Sequence, residues 1–97
     1  MTDVLTVVAW IRAASGSEDA VREALLSIVP PTLEEEGCIE YKLHAVDDDP
    51  RLFYFVEQWR SGQDLDIHLA SAHVRESIDA VEGLIERIDI KRMTRIA

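Results

Sequence analysis

Cysteine is nearly absent from this chain. Cys38 alone among 97 residues argues against an intrachain disulfide and a cysteine-rich metal site, and it suits a reducing compartment. Positive charge is also scarce, with ten Lys and Arg against nineteen Asp and Glu and a net charge of -9. That balance argues against nucleic acid and anionic membranes as partners, since both would approach a field of their own sign. No apolar run reaches the length of a transmembrane helix. The only charge ahead of the apolar stretch from Val4 to Ile11 is Asp3, so the basic region of a signal peptide is missing. These absences predict a cytoplasmic protein. Linkers, repeats and low-complexity tracts are missing too, so residues 1–97 read as a single domain. A chain of this size hides roughly 60 to 65 per cent of its unfolded surface, enough for one core with little margin.

What is present is a regular succession of short elements. Val4 to Ile11 is rich in β-branched residues and predicts a first strand ending near Ser15-Gly16. Ser17 is placed to cap a helix that opens with Glu18 and Asp19 and carries Val21, Leu25, Ile28 and Val29 at helical spacing. Pro30-Pro31 predicts a kink or interruption, because neither ring supplies an N–H, and Gly37 predicts the stop. Cys38 to Val46 and Leu52 to Arg60 read as a strand pair joined by Asp47-Asp48-Asp49-Pro50-Arg51. With Val46 opposite Leu52, residues Ala45, Leu43, Tyr41 and Ile39 face Phe53, Phe55, Glu57 and Trp59 in turn, and His44 pairs with Tyr54 on the other side. Ser61 to Asp64 leads into a helix with Leu65, His68, Leu69 and Ala72 on one face. After a break near Ser71, Val74, Ile78, Val81 and Ile85 continue the pattern, and the alternation from Ile88 to Ile96 predicts a last strand.

The resulting β-α-β-β-α-β order is the ferredoxin-like split βαβ arrangement, an α+β fold with a four-stranded antiparallel sheet and helices on one side. Yet the first strand is apolar on both faces: Leu5, Val7, Ala9 and Ile11 on one, Val4, Val8 and Trp10 on the other. The third shows Phe53, Phe55 and Trp59 against Leu52, Tyr54 and Val56. A sheet with one wet face alternates cleanly, and this one does not. The uncovered face predicts a homodimer.

Proton chemistry is suggested by the passage Glu57-x-Trp59, Leu65-x-x-His68, Ser71-x-His73, because histidine exchanges its proton near neutral pH. On an unbroken helix His68 and His73 diverge by about 140°, so they share a cavity only where the helix breaks around Ser71. Otherwise one histidine braces the break while the other pairs with Glu57. Glu57 lies among aromatics and needs a partner there, for which Arg12, Lys42 or a histidine is the expectation. The acidic runs Glu34-Glu35-Glu36 and Asp47-Asp48-Asp49 read as solvated turn charges, and the second lacks the spaced ligands of a calcium loop. No metal site is expected.

In their order, Gly37-Cys38-x-x-Tyr41-x-Leu43-His44, Asp49-Pro50-x-x-Phe53, Glu57-x-Trp59, Leu65-x-x-His68 and Ser71-x-His73 resemble the antibiotic biosynthesis monooxygenase superfamily of dimeric α/β barrels. The resemblance covers nearly the whole chain. It implies a ligand pocket in each subunit between sheet and helices, and oxygenation of a quinol or polycyclic phenol by molecular oxygen with no metal, flavin or other cofactor. On that reading His68 and His73 are catalytic, while Trp10, His44, Phe53, Tyr54, Phe55, Glu57 and Trp59 bind the substrate. The haem-degrading branch is not implied, because the positions it uses fall near Ala9, His68 and Ile78, which carry other residues. Two further readings need the same apolar cavity and proton-transferring group: a non-catalytic dimeric barrel that binds a small hydrophobic metabolite, and an isomerase.

Overall fold

A computed structural model describes residues 4–97; Met1, Thr2 and Asp3 lie outside the described residues. The elements run β1 (Leu5–Ala13), α1 (Glu18–Leu33), β2 (Cys38–Val46), β3 (Asp49–Trp59), α2 (Gly62–Leu69), α3 (Ala72–Ala80) and β4 (Ile85–Met93). The four strands form one antiparallel sheet in the order β2-β3-β1-β4, the ferredoxin-like arrangement, and the second predicted helix is two. Val7, Ala9, Ile11, Phe53, Phe55 and Trp59 point to the helical side and are buried against Val21, Leu25, Ile28 and Leu65. Among the described residues no helix is long and apolar enough to cross a membrane.

Register follows the expectation in the middle of the hairpin and departs from it at both ends. Ala45, Leu43 and Tyr41 oppose Phe53, Phe55 and Glu57, and His44 opposes Tyr54. Trp59, however, is paired with Cys38 and not Ile39, because the register shifts between Cys38 and Glu40. That irregularity leaves Ile39 exposed. At the other end Val46 pairs with Asp49, not Leu52, since β3 begins three residues earlier and only Asp47 and Asp48 make the turn. β4 likewise begins earlier, so Thr94 and Ile96 lie beyond it.

The prolines do not stop α1, which runs through Pro30 and Pro31 to Leu33. Neither ring supplies the N–H that the Leu26 and Ser27 carbonyls would otherwise accept, and the helix continues without those two backbone bonds. The last turn is held from inside: Thr32 is fully buried and its Oγ1 donates to the Ile28 carbonyl at 2.7 Å. Ser17 occupies the N-cap position without a side-chain cap bond; instead the Gly16 amide donates to Glu18 Oε1 at 2.6 Å.

One close approach positions everything that follows. Gly37, between α1 and β2, packs so tightly on Asp64 in the first turn of α2 that a Cβ there would overlap the carboxyl group. Arg60 grips the same carboxylate through Nε and Nη2, at 2.9 and 3.0 Å, and the Arg60 amide donates to the Gly37 carbonyl at 2.9 Å. The exit of α1 is thereby clamped to the start of α2. Replacing Gly37 with Ala forces these apart, and we expect a loss of about 1–3 kcal/mol in urea unfolding with the far-ultraviolet spectrum retained.

Candidate active site

Val21, Leu25, Ile28 and Thr32 form the buried stripe of α1, and the next step of the same stripe, three residues on, is Glu35. Its carboxylate therefore turns inward just beyond the helix end. His68 lies on the buried face of α2, three residues after Leu65. The chain breaks at Ser71, whose Oγ donates to the His68 carbonyl at 2.6 Å, and α3 then restarts in a new direction carrying His73. Both imidazoles converge on one atom. His68 Nδ1–H donates to Glu35 Oε2 at 2.6 Å, and His73 Nε2–H donates to the same oxygen at 2.8 Å.

These three donor atoms lie within 4.8 Å of one another. A divalent transition metal holds its ligands at about 2.0–2.1 Å, which spaces neighbouring donors by about 2.9 Å or more. Contacts of 2.6 and 2.8 Å are shorter, so the cluster as packed is a hydrogen-bonded carboxylate.

His68 forms part of the wall of a hollow between sheet and helices. The floor is Val7, Ala9 and Ile11 of β1 with Phe55 and Glu57 of β3; Tyr41, Leu25 and Ile28 close one side. Leu65 and Leu69 of α2 and Val74 and Ile78 of α3 make the roof, and Ile88 and Ile90 of β4 the mouth. Ile88 is 48% and Ile90 37% exposed, so the hollow opens along β4. Its enclosed part measures about 50 Å³, and the whole hollow with its open mouth about 450 Å³. An apolar void of about 150 Å³ holds benzene, so a ring must use the mouth or lift the roof.

Glu57 is the second ionisable group on this surface and is 3% exposed. Its partner is none of the expected cations: Arg12 pairs with Asp49 and Lys42 with Glu40. Trp59 Nε1–H donates to Glu57 Oε1 at 2.7 Å. Burial pushes the Glu57 carboxyl up to about 7; the Trp59 bond opposes the shift and the nearby Glu35 charge adds to it. Burial moves His68 the other way, below its ordinary value, against the pull of Glu35. Burial likewise raises the Tyr41 hydroxyl far above its usual range, with Glu57 and Glu35 adding to the effect. Cys38 is pushed up to about 11 by burial and by the same two carboxylates, so it stays a thiol. Near neutral pH the hollow thus presents an imidazole that favours its uncharged form and a carboxyl that still holds its proton about half of the time.

Of the residues expected to bind substrate, Phe55 and Glu57 reach the hollow with His68. Trp59 is fully buried behind it, with its ring 4.7 Å from that of His68, and Phe53 is core. Trp10, Tyr54 and His44 lie on the opposite face of the sheet, where alternation puts them. Arg87 covers the Trp10 ring at 5.5 Å. His73 does not line the inner hollow; it borders a surface depression between α1 and α3. Glu35 is the residue that sequence reasoning placed in solvent, and the α1 stripe is the signal that finds it.

The sequence profile of antibiotic biosynthesis monooxygenases matches residues 4–80. The chain belongs to this family. It is 32% identical over 98 residues to the probable quinol monooxygenase YgiN of Escherichia coli K12, covering 91% of this chain and 94% of YgiN. Its fold matches PA3566 from Pseudomonas aeruginosa with a TM-score of 0.94 at 35% identity, over 100% of this chain and 98% of that one. SO0527 from Shewanella oneidensis matches with a TM-score of 0.90 at 28% identity, over 98% and 93%. The family supports a monooxygenase-type function acting on a small molecule and oxygen.

Glu57 binds its proton more tightly folded than unfolded, so the stability it contributes is present below about pH 4.5 and is lost as pH rises towards about 7. His68, shifted down, works oppositely as pH passes its unfolded value. The difference between wild type and Glu57→Gln isolates the first effect. We expect the variant to gain roughly 3 kcal/mol relative to wild type between pH 4.5 and 8 in chemical denaturation.

Proposed function

We propose that this protein is a cofactor-independent monooxygenase that acts on a quinol or polycyclic phenol-type substrate, working as a homodimer in the cytoplasm. The observation that carries the reading is the pair of oppositely shifted groups on one apolar hollow, His68 as base and Glu57 as proton-bearing donor. His68 Nδ1 is taken by Glu35, so Nε2 is the atom left to accept a proton. It removes the hydroxyl proton of the phenol. The phenolate passes one electron to oxygen, and the radical pair combines to form a carbon–oxygen bond. The His68 proton returns to the peroxide oxygen; the ring carbon then loses its hydrogen, the O–O bond breaks, and a quinone and one water result. One hydroxyarene and one O₂ are consumed, and an apolar wall keeps the radicals together. The protonated Glu57 carboxyl donates a hydrogen bond to the newly bonded oxygen, and the Phe55 and Tyr41 rings, packed on each other with centroids 4.8 Å apart, form one aromatic wall against the substrate.

The dimer is supported by the sheet's other face, where Val8, Trp10, Leu52, Tyr54 and Val56 make a half-buried apolar centre. Glu40, Lys42, Asp89 and Lys91 surround it. An acid and a base on one surface also suit isomerisation, in which both act on a single substrate. Oxygen decides between the two. An oxygen electrode with a naphthol or quinol substrate should record uptake that matches quinone formation one to one. His68→Ala should slow it by about 10²-fold or more. Anaerobic exchange of deuterium into substrate, with no oxygen uptake in air, would favour the isomerase. Light scattering on a sizing column should give twice the 11.0 kDa chain mass, and Val56→Glu should lower it towards one chain.

A further inference from the structure

We infer that Glu35 is a positioning residue that fixes the tautomer of His68, and that His73 locks Glu35 in the orientation to do so. Imidazole carries one proton on either of two nitrogens, and the bond made by one nitrogen decides the state of the other. Here the carboxylate oxygen accepts at 2.6 Å from Nδ1, on a ring that is 2% exposed. The proton is therefore held on Nδ1, and the Nε2 lone pair is the one offered to the hollow that His68 lines.

His73 makes the arrangement rigid. Its Nε2–H donates to the same Oε2 at 2.8 Å, so two donors from separate helices settle the carboxylate rotamer. Ser71 Oγ lies 3.3 Å from that nitrogen and donates to the His68 carbonyl, tying the interhelical break to the His73 ring and the His68 backbone. His73 borders a surface depression with Ala24, Ser27 and Ser77 and is absent from the lining of the hollow. It thus acts through Glu35 and not on the substrate. When His68 takes the substrate proton, the O–H bond breaks, an N–H bond forms at Nε2, and the imidazolium keeps its Nδ1–H on the carboxylate. The catalytic consequence rests on the proposed role of His68 as base; the tautomer itself does not.

Long-range proton–nitrogen correlation spectra of the substrate-free, uniformly ¹⁵N-labelled protein read the tautomer of each histidine directly. We expect a protonated-type shift at His68 Nδ1 and an unprotonated-type shift at Nε2. His73→Asn should retain that pattern, because Glu35 remains. Glu35→Leu, which leaves no acceptor for Nδ1–H, should move His68 towards the Nε2–H form and lower kcat by about 10-fold or more while KM stays within about twofold. Wild-type His68 with its proton on Nε2 overturns the inference without recourse to any variant. So does a folded Glu35→Leu protein with an unchanged His68 spectrum. If the spectra are as expected but His68→Ala turns over substrate normally, the proposed base fails and the tautomer assignment stands.

Discussion

A single carboxylate oxygen holds the helical side of this protein in register. Glu35 leaves the end of α1, and its Oε2 receives N–H groups from α2 and α3 at once. Three segments that are separate in sequence are thereby referred to one point. Two charge-assisted hydrogen bonds of this kind are individually stronger than neutral ones, and burial leaves little water to replace them. The acceptor itself is placed by the contact of Gly37 with Asp64, which brings the turn after α1 against the start of α2. The sheet supplies a floor, but the relative placement of the two imidazoles is set by this bond pair.

The same burial does opposite things to the two groups on the hollow. A carboxyl removed from water keeps its proton, and an imidazole removed from water gives its proton up. Neither has a full charge to stabilise at neutral pH. This is why an acid and a base coexist within an apolar chamber, and why every polar side-chain atom buried among the described residues still has a partner. The domain's surplus of negative charge sits elsewhere, on turns and the outer surfaces of helices.

Much of this was legible in the residues. Alternation along β1 and β3 marked both sheet faces, and the order of the elements was enough for the fold. The break expected near Ser71 in the apolar pattern is present, and it is what lets His68 and His73 converge. Four things were not legible, each for a physical reason. The shift between Cys38 and Glu40 leaves no trace in hydrophobic pattern, yet it moves Trp59 from Ile39 to Cys38. The prolines of α1 mark a local preference that buried Thr32 and Ile28 override. Glu35 sits inside a run of three glutamates, where composition says solvent and only helical phase says interior. Glu57 needed a neighbour, and the indole two residues on, along the same face, was overlooked because a search for charges does not consider a neutral donor.

Two helices of eight and nine residues meet at Ser71 above the hollow. Segments this short are not helical on their own in water, so their order comes from what they cover. Beneath them the packing is incomplete, and Leu69, Val74 and Ile78 face space on one side. A guest that enters from the β4 side therefore supplies the missing contacts of its own container. Occupancy and the firmness of the lid rise together, and guests of different widths are accepted at the expense of how tightly the two short helices settle.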